Sequence, residues 1–201
     1  PTEATDNWCL SIWANPTSLG SGSGVAGQMI LYNGAPLSSN CYGFGIGLLG
    51  GGDLNLEAIL GGIAFIDSGY TFSTSPAWYH IIMLRRSGTI EFWVNGVQTA
   101  NTFTDSVIAP IGGPLAIGHQ YGGARYFTGK LIDARMYGFA PSEAEILEIY
   151  NSGCPGGGPG GLIWQCGLDE GTGSTSFDTI DGFNLGLFNA PVWTADCPCP
   201  P

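Results

Sequence analysis

Apolar positions fall in short runs broken by glycine-rich turns along most of the chain. Residues 79–84 and 90–94 are two such aliphatic and aromatic runs, separated by Arg85-Arg86-Ser87-Gly88-Thr89, and this spacing predicts a β-hairpin. Asn95-Gly96 follows at once, and both residues tolerate positive φ, so a second tight turn is expected there. Residues 115–118 and 129–137 read as two further strands. In the latter, alternation puts Leu131, Asp133, Arg135 and Tyr137 on one face and Ile132, Ala134 and Met136 on the other. Nearer the start, Trp8, Leu10 and Ile12 alternate with Cys9, Ser11 and Trp13. A strand over 28–32 ends at Asn33-Gly34, and glycine clusters interrupt the runs 41–49 and 54–66. Many short strands with frequent turn signals predict an all-β, two-sheet antiparallel sandwich.

One helix is expected, near 142–151. Ser142-Glu143-Ala144-Glu145 has the spacing of a capping box. Ile146, Ile149 and Tyr150 share a face, and Gly153 provides the stop. A single short helix in a strand-rich chain is expected to plug the end of the sandwich.

Composition sharpens this picture in three places. The 201 residues carry a formal charge of −11, with only five Lys and Arg. A nucleic-acid groove needs clustered cations, so nucleic acid is excluded as a direct partner. No apolar run approaches the ~20 residues of a membrane-spanning helix, so membrane insertion is not expected either. Pro1 fits a cleaved leader or removal of an initiator Met. The second is preferred, and it implies synthesis without the general secretory route. Six cysteines favour an oxidising final environment. Cys154 and Cys166 flank a Gly/Pro-rich stretch and are the candidate disulfide pair. Zinc is the rival use of these cysteines, but the spacing of paired CxxC ligands is missing.

A family resemblance rests on the following order: Trp78-Tyr79-His80, the hairpin, Trp93-Val94-Asn95-Gly96, Leu115-Ala116-Ile117-Gly118, Phe127-Thr128-Gly129-Lys130-Leu131-Ile132-Asp133, Pro141-Ser142-Glu143-Ala144-Glu145-Ile146 and Tyr150-Asn151-Ser152-Gly153. This order resembles the laminin G-like branch of the concanavalin A-like lectin/glucanase jelly rolls, above all its pentraxin-like members. The resemblance implies a jelly roll. Residues 162–173, 177–186 and 189–193 resemble the family's opening strand, its Asp-containing turn and its next strand. A body at 1–153, a Gly/Pro linker at 154–161 and a tail at 162–201 would then supply the family's strands in permuted order. Two readings follow. Either the domain is circularly permuted, or the tail completes the sheet of a neighbouring subunit in a homo-oligomer.

Three kinds of chemistry bear on the residues of this chain. The glucanase branch implies a Glu-x-Asp-x-x-Glu run, and none occurs. Asp169 and Glu170 are adjacent and point to opposite faces, and capping explains Glu143 and Glu145. No G-x-S-x-G, HExxH or Walker motif is present, so an enzyme is not expected. The resemblance implies a candidate Ca²⁺ site at Asp133, Asp178 and Asp181, in tension with a plainer reading. In that reading Asp178 caps an Asx-turn and Asp133 pairs with Arg135 or Arg125. Finally, His119, Gln120, Tyr121, Arg125 and Tyr126 join two strands and offer ring faces, an amide and a guanidinium. They are candidates for binding a glycan, or equally for contacting another protein subunit. Two functions fit: a virion surface protein (capsid decoration or fibre) with a lectin-like fold, or a secreted or cell-surface carbohydrate-binding domain. The expected location is extracellular or on a virion surface.

Overall fold

The structure is a computed structural model. It describes residues 7–17, 27–34, 41–49, 54–61, 64–104, 115–120, 125–153, 158–169, 174–180, 182, 185–186 and 192–193. The strands are β1 (Trp8–Pro16), β2 (Gln28–Asn33), β3 (Tyr42–Ile46), β4 (Asn55–Leu60), β5 (Ala64–Thr71), β6 (Tyr79–Arg86), β7 (Thr89–Val94), β8 (Val97–Gln98), β9 (Phe103–Thr104), β10 (Leu115–Ile117) and β11 (Gly129–Tyr137). Helix α1 (Glu143–Asn151) follows, then β12 (Leu162–Cys166), β13 (Thr175–Ser176) and β14 (Leu185–Gly186).

Two antiparallel sheets form the jelly-roll sandwich. One has the order β12-β11-β1-β6-β7-β8, with β9 also paired to β7, and the other the order β10-β2-β3-β4-β5. The main core lies between them. Trp8, Leu10, Ile12 and Ala14 from β1 meet Ile30, Leu31, Tyr42, Phe44 and Leu56 from the facing sheet. The Trp8 and Tyr42 rings stack across the gap at 5.0 Å. The alternation in β1 thus does what its sequence pattern requires, with Trp8, Leu10 and Ile12 inward. The predicted hairpin forms as β6 and β7, with strands extending through Arg85, Arg86 and Thr89 so that Ser87-Gly88 alone makes the turn. Asn95 and Gly96 take φ of 52° and 77°, as a two-residue hairpin turn demands.

The predicted capping box is present at α1. Ser142 Oγ accepts from the Glu145 amide at 3.4 Å, and Glu145 Oε2 accepts from the Ser142 amide at 2.7 Å. The helix does not plug the end of the sandwich, however. Ile146 and Ile149 pack with Cys9, Ile82, Leu84, Trp93 and Tyr137, which are the outward-facing positions of β1, β6, β7 and β11. The helix therefore covers the outer face of the larger sheet. Those outward positions are themselves apolar, so that face needs a cover. Arginines from the sheet hold both ends of the helix. Arg86 donates to the Pro141 carbonyl at 2.7 Å, just before the cap. Arg135 donates to Ser152 Oγ at 3.4 Å and to the Gly153 carbonyl at 3.3 Å.

Strand β11 corrects a second expectation. Asp133 has φ of 54°, and the register against β1 shifts between Ser11 and Trp13. This bulge breaks the two-residue alternation. Asp133, Arg135 and Tyr137 keep one face, but Leu131 turns inward to join Ala134 and Met136 at the main core.

Strand β12 lies at the edge beside β11, pairing Ala134 with Cys166, Arg135 with Gln165 and Met136 with Trp164. Trp164 and Cys166 enter the main core. Two of the glycines leading into β12 are packed. A Cβ on Gly158 would sit 2.9 Å from the Tyr137 hydroxyl, and one on Gly161 2.8 Å from the Phe139 ring. The chain here lies flat on aromatic side chains that a larger residue would push away.

Candidate functional site

The rim between β10 and β11 gathers four of the five residues proposed for glycan contact; Tyr121 lies outside the described residues. Main-chain bonds build its frame. The Gly118 amide donates to the Ile30 carbonyl at 2.8 Å, and the Phe127 amide donates back to the Gly118 carbonyl at 2.8 Å. The Met29 amide donates to the Arg125 carbonyl at 2.8 Å, which fixes Arg125 on β2 at a left-handed φ of 54°. On this frame the His119 and Tyr126 rings lie 6.0 Å apart with 31° between their planes. Tyr126 is 49% exposed, whereas Gln120 is buried. His119 Nδ1 is hydrogen-bonded to the Gln120 carbonyl at 2.9 Å.

Arg125 is held from two sides. Its Nη1 donates to the Leu48 carbonyl at 2.9 Å, and its guanidinium lies over the Phe65 ring at 5.4 Å. Partial burial lowers its proton affinity, and the nearby Glu57 carboxylate and Tyr32 partly restore it. Glu57 is fully buried, and its Oε2 accepts from the Leu49 amide at 2.6 Å. Leu48, Phe65 and Glu57 cannot be read as partners from local pattern, because the Arg125–Leu48 contact spans 77 residues. The rim therefore offers one exposed ring, a second ring beside it and an oriented cation. That set can hold a sugar by its apolar face and by its polar edge.

The proposed Ca²⁺ ligands form a different arrangement. Asp133 is buried and ion-paired with Arg135. Its Oδ1 accepts from Arg135 Nε at 2.8 Å and from Gln165 Nε2 at 2.8 Å. Asp178 Oδ1 accepts from the Gln165 amide at 3.1 Å and from the Ile180 amide at 3.0 Å, the latter closing an Asx-turn. Gln165, which sequence reasoning missed, thus links the two carboxylates. Burial alone would lower the Arg135 proton affinity, but its bond to Asp133 outweighs burial and raises it. Asp181 lies outside the described residues. A Ca²⁺ ion takes about six to eight oxygen ligands. Here the Asp133 carboxylate faces a guanidinium, and among the described residues no three His, Cys, Asp or Glu side chains gather as a metal group. The described residues do not fit the ion. Cys166 is fully buried, its Sγ 3.8 Å from the Ser176 carbonyl. Its proposed partner Cys154 lies outside the described residues.

His80 sits beneath the helix C-terminus, fully buried. Its rings meet Trp13 at 5.0 Å and Tyr150 at 5.7 Å, and its Nε2 is hydrogen-bonded to Ser11 Oγ at 2.8 Å. Burial, with the Arg135 charge, pushes its pKa down to about 3. The unfolded chain takes up this proton below its ordinary value of 6.5, while the folded chain does not until about 3. Stability is therefore full above 6.5 and falls as the pH drops toward 3. The melting temperature is expected to fall between about pH 7 and 5, a window above most carboxylate titration. His80→Gln should flatten that fall, and an unchanged slope in the variant would show that another group causes it.

With this geometry established, similarity to known proteins places the chain. A family model described as the concanavalin A-like lectin/glucanases superfamily matches residues 1–147, and the chain belongs to that family. A segment of 80 residues is 30% identical to human usherin, covering 37% of this chain and 2% of usherin. The chain thus spans a small fraction of that relative. Among solved structures, a candidate carbohydrate binding protein of Bacteroides ovatus superposes with a TM-score of 0.66 at 19% identity. It covers 94% of this chain and 55% of its own. The SAP-like pentraxin of Limulus polyphemus superposes with a TM-score of 0.55 at 16% identity, covering 77% and 73%. The fold is the lectin-like jelly roll of that family. The expectation of a virion surface protein finds no support in these similarities. Among the described residues no helix is long and apolar enough to cross a membrane.

Proposed function

We propose that this chain is a non-enzymatic carbohydrate-binding module, displayed or secreted outside the cell, that takes glycans at the His119–Tyr126 rim. The observation that carries the reading is the exposed Tyr126 ring, set beside His119 next to an arginine whose direction is fixed by Leu48 and Phe65. Exposed rings on a rigid frame bind sugar faces without paying large ordering costs. Strand β12 acts as part of the same sandwich, and the permuted order is the reading that β12 beside β11 supports. A glycan array with the purified chain tests the binding role. Tyr126→Ala is expected to weaken every bound glycan about tenfold or more, as loss of one stacking ring does. Undiminished binding in that variant would move the site away from the rim.

A further inference from the structure

We propose, resting on the carbohydrate-binding reading of the rim, that the glycan held there carries a carboxylate and that Arg125 is the group that reads it. The chain has five Lys and Arg against a net charge of −11. Two of those cations are committed to carboxylates, Arg86 to Glu91 and Arg135 to Asp133. Arg85 is buried. Arg125 is different. Among the described residues no carboxylate stands at ion-pair distance from it, and its one hydrogen bond is the Nη1 donation to the Leu48 carbonyl.

A guanidinium has five N–H donors in a planar fork. Leu48 takes one of them, and Phe65 fixes the plane of the fork. The next residue along the chain is Tyr126, whose ring is exposed and lies beside His119. Arg125 is only partly buried, so its charge is weakly hydrated yet reachable. A carboxylate is the planar two-oxygen acceptor that such a fork matches in bidentate fashion. The position is also costly to maintain without a use. A non-glycine residue is held at φ of 54°, with its carbonyl tied to Met29, at the point where the guanidinium leaves the frame.

The acidic background does not cancel this. Charges more than about 8 Å apart are largely screened at physiological salt. A bound carboxylate would therefore feel the guanidinium it touches far more than the distant acids. Glu57, whose carboxylate does act on Arg125, is buried and also holds the Leu49 amide. The same background has a consequence for selectivity. In so acidic a chain, the cation that the glycan touches carries its preference over the neutral sugar, and at the rim that cation is Arg125.

Two sources supply this chemistry, a sialic acid and a uronic acid, and paired titrations separate them. The full chain is titrated with α2,6-sialyllactose against lactose, and with trigalacturonic acid against its methyl ester, alongside a glycan array carrying neutral and carboxylated members. At least one acid is expected to bind about tenfold or more tightly than its neutral counterpart. Arg125→Gln should abolish that preference, bringing the acid's affinity down to that of its neutral counterpart measured on the same variant. Arg125→Lys should keep the charge but lose most of the preference, since it lacks the fork. Near-ultraviolet circular dichroism and a cooperative melt confirm that both variants fold. Equal binding of acid and neutral sugar, or a preference that survives Arg125→Gln, overturns the carboxylate assignment and leaves the rim reading standing. An array with no bound glycan of either kind overturns both.

Discussion

Arg135→Met is expected to lower the stability of the fold by about 3–5 kcal/mol. Both partners of the Arg135–Asp133 pair are about 1% exposed. Removing the guanidinium leaves a carboxylate in the protein interior with Gln165 as the remaining side-chain donor among those described above. It also removes the bonds to Ser152 and Gly153 that hold the end of α1. For a domain of this size each kcal/mol is worth about 2–4 °C, so the melting temperature should drop by about 6–20 °C. The double variant Asp133→Asn/Arg135→Met should recover most of the loss, because no charge is left unpaired and Asn tolerates the left-handed backbone at that position. Thermal unfolding of the two variants beside the parent decides it. A single-variant loss under about 1 kcal/mol would mean that water or another group compensates the carboxylate.

Ending the chain after Gly153 is expected to abolish cooperative folding. The truncated protein loses Trp164 and Cys166 from the main core and leaves the edge of β11 unpaired over residues 134–137. Burial of a large apolar side chain contributes about 1.5–3 kcal/mol, and whole domains are stable by only about 5–15 kcal/mol. The loss also strips Gln165 from Asp133, which adds an electrostatic cost on top of the packing cost. Near-ultraviolet circular dichroism of the truncated chain should be nearly featureless, and its melt broad. Light scattering of the full chain at several dilutions should report a monomer, with β12 paired to its own β11. A truncated chain that melts within a few degrees of the parent would sink the view of the tail as part of the sandwich. A full chain whose mass changes with dilution would favour strand donation between copies.

Much of the fold could be read from local pattern because the relevant physics is local. The alternation of Trp8, Leu10 and Ile12, the Asn95-Gly96 turn and the Ser142–Glu145 capping box each depend on residues a few positions apart. The misreadings have the opposite character. The inward turn of Leu131 follows from a bulge at Asp133 that no periodicity announces. Helix α1 covers a sheet face because Cys9, Ile82, Leu84, Trp93 and Tyr137 come together from four separate strands. Gly158 and Gly161, in a stretch that composition marks as a loose connection, are needed because the chain there passes directly over Tyr137 and Phe139. At the rim, His119, Arg125 and Tyr126 were visible as residue types. What orients Arg125 was not, since Leu48 and Phe65 reach it only through the sheet.

The two arginines that hold α1 constrain how this domain can move. Arg86 grips the main chain ahead of the helix, and Arg135 grips it behind. Fastened at both ends, the helix cannot swing out like a flap while the sheet stays whole. Its amides can reach deuterated solvent only by short-lived fraying within the last turn or by opening together with β6 and β11. The outer face of the larger sheet is therefore a rigid back, and a guest that pressed on it would have to break the sheet's own pairing to shift it.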